Sequence, residues 1–294
     1  MYLVYNWVIY LFITNFNLFM TNFNNPVSTQ RSQFQSFPFH LVDQSPWPLA
    51  ISLTLFTMAI AAVGSFHGFP FSGYLLSLGL ILTVSVMILW FKDVVSEATY
   101  LGAHTSQVQS GLSLGFILFV LSEVMAFMSV FWAFFHSALA PTIEIGGSWP
   151  PVGIESLDPY AIPLLNTILL LSSGAFITWA HHALIKGDRT GAVIGTFFTI
   201  VLALVFTALQ GFEYFEAPFS FADSIFGTVF YASTGLHGAH VIVGTIFIAV
   251  AFVRIVQYHF TDSHHNGFEA AILYWHFVDV VWLFLYIFVY VWSA

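Results

Sequence analysis

The chain has 294 residues, of which 59% are hydrophobic and only 6% carry a charged side chain. Soluble domains carry about 25% charged residues, so this surface needs lipid or many partner subunits around it. The absence of cysteine excludes disulfides, thiolate catalysis, iron–sulfur clusters and cysteine-ligated zinc. Only five basic residues stand against fourteen acidic ones. This argues against a nucleic-acid partner, because phosphate binding needs clustered lysine and arginine.

Seven stretches of the chain are long and apolar enough to cross a bilayer, which takes about 20 residues. Several are longer than that, which indicates tilt or extension beyond the hydrocarbon. The glycine- and proline-rich residues 146–153 cannot be helical and mark a loop. The predicted spans are residues 47–66, 73–95, 108–138, 161–185, 191–213, 222–257 and 268–292.

The basic residues predict the orientation of these spans. With seven spans, all five basic residues fall on one side of the membrane: Arg31, Lys92, Lys186, Arg189 and Arg254. The opposite side has only acidic residues, which is the positive-inside pattern. We therefore expect the N-terminus inside and the C-terminus outside.

Residues 1–36 form an N-terminal tail that is separate from the membrane domain expected at residues 37–294. The stretch 2–20 is apolar and aromatic, but Asn6, Asn15 and Asn17 interrupt it. It has no basic region of the kind that opens a signal peptide. Three interpretations remain: an interfacial helix, a removed leader, or translated sequence upstream of a start at Met20. We favour the last two.

A series of motifs then carries a family resemblance. In chain order they are FHLV at 39–42, SPWPL at 45–49, KDVV at 92–95, GAHT at 102–105, LSEV at 121–124, FWAFFHS at 131–137, WPP at 149–151, PLLNT at 163–167, WAHH at 179–182, EAPF at 216–219, GLHGAHV at 235–241, HH at 264–265 and YWHFVDVVWLFLY at 274–286. Together they resemble cytochrome c oxidase subunit III over residues 37–294. Two positions depart from the pattern: Ala103 stands where the family often has histidine, and Lys92 where arginine is common.

The resemblance implies an all-α integral membrane protein whose seven helices form a V-shaped bundle of two plus five, with structural phospholipids in the cleft. It implies a non-redox subunit of the proton-pumping oxidase (respiratory complex IV) that takes electrons from cytochrome c to oxygen. Haem a and copper would reside in partner subunits I and II. The expected role is support of assembly, stability and proton uptake, in the mitochondrial inner membrane. The homologous subunit of a bacterial quinol oxidase in a plasma membrane is the near alternative.

Glu123 lies near the middle of the third span. A charged residue at mid-helix costs about 2.5–3.5 kcal/mol on insertion scales, so this carboxyl should be protonated or face a polar cleft. The resemblance places the reactive intramembrane glutamate of the family at this position. We expect a lipid-cleft role for Glu123 and Trp132; the competing interpretation is a neutral packing residue.

A second group of candidates lies at predicted headgroup depth on the inner side. His104 could meet a lipid phosphate together with Trp90, Lys92 and Arg254, because basic and aromatic residues at this depth bind lipid headgroups. Ordinary anchoring at the interface is the alternative.

Four polar residues inside the spans are expected to serve packing. His276 and Asp279 are three residues apart and share a helix face, so they should pair and satisfy each other. His237 and His240 have the same spacing and could hold a metal, but the resemblance implies none there. We expect no metal or cofactor bound by this chain.

Two further classes and one soluble partner were considered. A histidine-box di-iron enzyme needs HxxxH and HxxHH patterns, which the pairs at 181–182 and 264–265 do not form. A standalone transporter would show paired halves, and the sequence has no such symmetry. The acidic outer loops could attract cytochrome c by long-range steering.

Overall fold

The computed structural model describes residues 37–293, and this part of the chain is helical with no strand. Its seven long helices are α1 (Trp47–Phe66), α2 (Ser72–Thr99), α3 (Ser106–Leu139), α4 (Ile162–Ile185), α5 (Arg189–Glu216), α6 (Ser224–Val256) and α7 (Asn266–Leu285). All seven are long and apolar enough to cross a membrane, which confirms the predicted all-α membrane fold. A short 3-10 turn lies at Ile143–Ile145, and α7 continues as a π-helical segment at Tyr286–Val291.

Helices dominate because a bilayer offers no water to the peptide groups, so each span must satisfy its own backbone. The polar side chains in the spans follow the same rule. The hydroxyls of Thr83, Thr196 and Thr245 donate to the carbonyls four residues earlier, at 2.8, 2.7 and 2.7 Å. These bonds remain within one helix, so the side chains remain compatible with lipid or an apolar neighbour.

Contacts divide the described chain into two units, residues 37–111 and 112–293. The first holds α1, α2 and the first residues of α3. The second holds the rest of α3 and α4 to α7. This division of contacts agrees with the expected grouping of two helices and five.

In the first unit, α1 and α2 form an antiparallel pair. The turn between them uses Gly68 at φ 72° and Phe71 at φ 64°. Farther along, the two backbones approach so closely that a Cβ on Gly79 would lie 3.2 Å from Met58 Cα. The indole of Trp47 donates to Asp93 at 2.5 Å and ties the start of α1 to the last turns of α2. Most of the remaining surface of both helices is exposed and apolar.

In the second unit, α7 lies at the centre and is the most buried of the seven helices. Trp275 and Trp282 on α7 are fully buried, and each indole N–H donates to a hydroxyl of α4, those of Ser173 and Thr167, at 2.9 Å. Buried indoles need such a partner. Small residues allow the close packing: a Cβ on Gly244 would lie 3.0 Å from the ring of Trp275.

Several helix limits differ from the predicted ones. Helix α2 runs to Thr99, beyond the predicted end at residue 95, so it also includes Glu97. Helix α3 begins at Ser106, before the predicted start at residue 108, and His104 lies just ahead of it in the connection from α2. Hydropathy marks where the apolar stretch ends, but a helix can continue into the polar region beyond it. The last span ends in a π-helical segment, and residues 1–36 lie outside the described residues.

Candidate functional site

Glu123 of α3 and His240 of α6 form a carboxyl–imidazole pair inside the second unit, with Oε2 and Nε2 2.8 Å apart. The side chains are 24% and 11% exposed, respectively. The ring of His240 packs against Phe127 at a centroid distance of 4.9 Å and stacks on Tyr274 at 6.1 Å. The predicted site residue Glu123 therefore has a polar partner and a partly open side. The sequence analysis assigned His240 to packing alone and missed it as that partner.

The hydrogen bond made by the other ring nitrogen of His240 determines how many protons the Glu123–His240 pair carries. Nδ1 lies 2.7 Å from the carbonyl oxygen of Leu236, and a carbonyl only accepts, so Nδ1 carries a hydrogen. Nε2 then either accepts from a protonated Glu123 or donates to an ionised one. In both cases the pair holds one shared proton and has no net charge, which meets the requirement of a span for neutrality.

The predicted pair on α7 follows the same arrangement. His276 Nδ1 lies 3.5 Å from Asp279 Oδ2, and both side chains are buried. Its Nε2 lies 3.1 Å from the hydroxyl oxygen of Thr178, which itself donates to the carbonyl of Gly174. That hydroxyl can only accept from His276, so Nε2 carries the hydrogen and Nδ1 faces the carboxyl. The two residues are brought together as the spacing predicted.

His237 has a separate partner. Its Nε2 lies 3.2 Å from the carbonyl oxygen of Val278 on α7, and the ring packs on Trp282 at 5.1 Å. His237 and His240 thus bond to different groups instead of converging on one point. This geometry fits the packing interpretation that the sequence analysis preferred to a metal site.

A third imidazole–carboxyl group lies where α4 ends and α7 begins, and the sequence analysis did not identify it. Glu269 Oε1 lies 3.3 Å from His265 Nε2 and 3.9 Å from His181 Nε2, with all three side chains buried. His265 Nδ1 lies 2.9 Å from the carbonyl oxygen of Thr261. Because a carbonyl only accepts, Nδ1 carries the ring hydrogen, and Nε2 faces Glu269. The two HH motifs are therefore joined in space, with one member of each next to the same carboxyl.

A fourth polar group was also missed and contains no histidine. Glu213 on α5 accepts from Gln210 at 3.0 Å and from the hydroxyl of Tyr290 at 2.6 Å. Gln210 in turn accepts from the amide of Asn166 at 3.2 Å. All four side chains are buried, so this network joins α4 and α5 to the end of the chain. The signal in the sequence was three strongly polar residues inside apolar spans, Asn166, Gln210 and Glu213, of which only Gln210 and Glu213 are connected by helical spacing.

The expected interfacial residues fall in both units. Trp90 and Lys92 are exposed on α2, and His104 lies in the connection that follows α2. Arg254 belongs to the other unit, near the end of α6, with its guanidinium 4.2 Å from the centroid of the Phe260 ring. Trp90, Lys92 and His104 belong to the first unit and Arg254 to the second, and joint binding of one lipid by the four residues stays a prediction.

Trp132 lies on α3 and is 76% exposed. An indole on the outside of a membrane helix packs against lipid or against another chain, because its large apolar surface is costly to leave in water. It lies nine residues after Glu123, which at about 3.6 residues per turn places it on the opposite face of α3. A lipid role for Trp132 therefore stays a prediction that is separate from that of Glu123.

Two charged or ionisable groups outside the spans have shifted pKa values. A backbone hydrogen bond, assisted by the hydroxyl of Thr142, lowers the pKa of Glu144. Burial, and then the positive charge of Arg254, lower the pKa of His259. At neutral pH Glu144 is therefore an anion in the loop after α3, while His259 adds no positive charge to the loop after α6.

Comparison with known proteins shows which family the chain resembles. A family model of cytochrome c oxidase subunit III matches residues 37–294. Relatives named cytochrome c oxidase subunit 3 include that of Podospora anserina, 58% identical over 90% of this chain and 98% of the relative. The relative from Neurospora crassa is 59% identical over the same shares, and that from Rhizopus stolonifer is 57% identical over 92% and 96%.

These matches favour the cytochrome c oxidase over the quinol oxidase and the transporter considered above. The matched residues include the pairs built on Glu123, His276 and Glu269, which the structure places inside one helical unit. This family does not bear the redox centres of the oxidase. The chain therefore belongs to the cytochrome c oxidase subunit III family, as a multi-pass, non-redox subunit of complex IV in the inner membrane.

Proposed function

We propose that the chain supports proton uptake and stability of the oxidase by holding structural phospholipids against the complex. The observation that carries this proposal is the Glu123–His240 pair, a neutral polar point inside the spans that is partly exposed. The exposed indole of Trp132 offers a separate apolar contact for an acyl chain on the opposite face of α3.

The headgroup end of the proposed lipid sites lies at the inner surface. Lys92 and Trp90 on α2 offer a cation and an indole at that depth in one unit, and Arg254 offers a cation in the other. A Lys or Arg near the membrane surface contributes about 1 kcal/mol towards anionic lipid. These residues are proposed to act on phosphate groups, while Glu123 acts deeper in the bilayer.

The partners proposed for the chain are the catalytic subunit I and subunit II, with haem a and copper in those subunits, together with accessory subunits. The long exposed apolar faces of α1, α2 and α3 suit helices of such partners as well as lipid. Cytochrome c is proposed as a transient partner through long-range electrostatics. Neutralising Glu144, Glu155 and Asp158 together should then weaken the salt dependence of cytochrome c binding, and an unchanged dependence would contradict this part.

The orientation proposed places Lys92, Lys186, Arg189 and Arg254 inside and the loop after α3 outside. Because the chain has no cysteine, single cysteines give a clean test. In mitoplasts an impermeant maleimide should label Ser148→Cys and spare Lys186→Cys; both positions are exposed. The reverse labelling would overturn the orientation.

Glu123→Gln tests the main proposal. The variant should assemble and keep electron transfer largely intact, because the chain holds no redox centre, while phospholipid retained per complex and proton uptake decline. Lipid is counted by mass spectrometry of the purified complex, and a reduced-minus-oxidised spectrum checks the haem. A complex that assembles normally but no longer consumes oxygen would contradict the supporting role. Unchanged lipid content and proton uptake would contradict the lipid role.

A further inference from the structure

Two groups of histidine and glutamate side chains in residues 37–293 have the spacing of metal ligands, with their ligand atoms within 4.8 Å of one another. One is the buried group of His181, His265 and Glu269. The other consists of His40, Glu97 and His104, which lie in the first unit and are partly exposed. A metal site needs an entry path as well as ligands, and only the second group is open to solvent.

The three side chains come from three segments that the fold fixes independently of any ion. His40 lies in the segment before α1, Glu97 in the last turn of α2, and His104 in the connection to α3. The hydroxyl of Thr105 donates to the carbonyl of Pro38, which ties the first segment to the connection. The amide of Ala103 donates to the carbonyl of Glu97 at 3.0 Å, which ties the connection to α2.

The distances within the group are close to those of a coordination shell. His40 Nδ1 lies 3.8 Å from Glu97 Oε2, with side-chain exposures of 20% and 25%. The rings of His40 and His104 have centroids 6.2 Å apart. Ligands about 2.0–2.1 Å from a tetrahedral zinc ion stand roughly 3.3–3.5 Å from each other. The 3.8 Å pair therefore needs to close by about half an ångström, and the third donor, which lies within 4.8 Å of the others, by up to about 1.5 Å, a distance that side-chain rotamer changes can supply.

The chemical nature of the three side chains indicates whether the site prefers a metal cation or a lipid phosphate. Two imidazoles and one carboxylate are the donor set of zinc sites that keep an open fourth position, and imidazole suits zinc and its neighbours among the divalent transition metals. The sequence analysis assigned His104 to a lipid phosphate. A carboxylate next to both imidazoles repels a phosphate and attracts a cation, so the neighbours of His104 favour the cation.

We propose that His40, Glu97 and His104 form a binding site for a divalent transition metal of the zinc type, open to the aqueous side of the membrane domain. The ion would join the segment before α1 to the end of α2 and to the connection that follows. The site shares His104 with the lipid contact expected from the sequence, but it includes none of Trp90, Lys92 and Arg254 and is separate from the Glu123–His240 pair. Its failure would therefore leave the proposed function standing.

Zinc binding to the assembled oxidase tests the proposal. The purified complex is stripped with EDTA and dialysed against radioactive Zn²⁺, and bound zinc is counted per complex. His40→Ala and Glu97→Gln should each lose one zinc, or bind it at least about tenfold more weakly, since even outer-shell changes cost 10–100-fold. The matched controls His67→Ala and Glu144→Gln remove exposed groups outside the site and should bind as the wild type does.

The variant Glu97→Gln also distinguishes a zinc site from a phospholipid headgroup site. The neutral amide weakens a cation site and relieves the repulsion of a phosphate, so zinc should fall while retained phospholipid stays level or rises. Equal zinc in the wild type and both site variants would overturn the proposal. A loss of phospholipid in His40→Ala without any loss of zinc would assign the site to a lipid headgroup instead.

If a variant does not assemble, chemical labelling of the histidines in the wild-type complex, with and without Zn²⁺, tests the metal site. Diethyl pyrocarbonate acylates imidazole nitrogens, and the modified histidines are identified by mass spectrometry. Zn²⁺ should protect His40 and His104 and leave the exposed His67 unchanged. Labelling of His40 and His104 that does not respond to Zn²⁺ would refute the site without any substitution.

Discussion

Replacing His240 with leucine tests the pairing that gives Glu123 its place in α3. The variant removes the imidazole whose Nε2 lies 2.8 Å from Glu123 Oε2 and leaves the carboxyl facing an apolar side chain. Leaving such a group without its hydrogen bond costs about 1–3 kcal/mol, which is roughly 5–150-fold in an equilibrium constant. Glu123→Gln should cost less, because its amide can still donate to His240 Nε2.

The decisive comparison is the double variant Glu123→Leu with His240→Leu. Replacing both partners of a hydrogen bond with apolar groups is nearly neutral, so the double variant should be more stable than His240→Leu alone. The assay incubates the purified complex in detergent at increasing temperature and measures the fraction of this chain that stays bound. Additive losses, with the double variant less stable than either single one, would refute the reasoning about a coupled pair.

Three further predictions concern packing, and the same retention assay checks them. Gly195→Ala should cost about 1–3 kcal/mol, because its Cβ would lie 2.8 Å from a Cβ on α4, whereas Gly211→Ala, with nothing within 4 Å, should be neutral or stabilising; equal effects would contradict this. Arg189→Ala should cost about 1–2 kcal/mol, because its guanidinium donates to two carbonyls at the end of α6, at 2.7 and 3.4 Å; an unchanged α6 end in hydrogen exchange would contradict it. Tyr290→Phe should destabilise by about 1–3 kcal/mol, since it removes the 2.6 Å donor to a buried carboxyl, and wild-type stability would count against the network.

The seven helices could be predicted from the sequence because a span is a local property of about 20 consecutive apolar residues. The pair of His276 and Asp279 could be predicted for a similar reason: a spacing of three residues fixes a shared helix face. The helix ends at Thr99 and Ser106 were less accessible, since the helices continue beyond the apolar stretch. Those few residues decide that Glu97 lies on α2 and that residues 100–105 alone connect α2 to α3.

His240 as the partner of Glu123, and His181 as the second partner of Glu269, could not be predicted, because these contacts depend on which faces of distant helices meet. His265, four residues before Glu269, was the one local partner that spacing could have suggested. Glu123 and His240 are 117 residues apart in the sequence. His181 comes within 3.9 Å of Glu269 only because α4 packs against α7. Residue type did give a weak signal, since a carboxyl inside a span needs a partner, but a chain with twelve histidines offers too many candidates for that rule to select one.

The three carboxyl–imidazole groups share a feature in how their histidine rings are bonded. In each pair the far nitrogen of the ring is committed as a donor: His240 to Leu236, His276 to Thr178, and His265 to Thr261. In the Glu123–His240 pair the near nitrogen lies 2.8 Å from the carboxyl and shares one proton with it, so that pair is neutral whichever atom holds the proton. A lysine or arginine partner could also neutralise a carboxylate, but only by keeping two full charges in a low-dielectric medium, which is costly. Imidazole allows the proton to settle on either side, and so lets acidic residues remain in the spans of a subunit that bears no redox centre of its own.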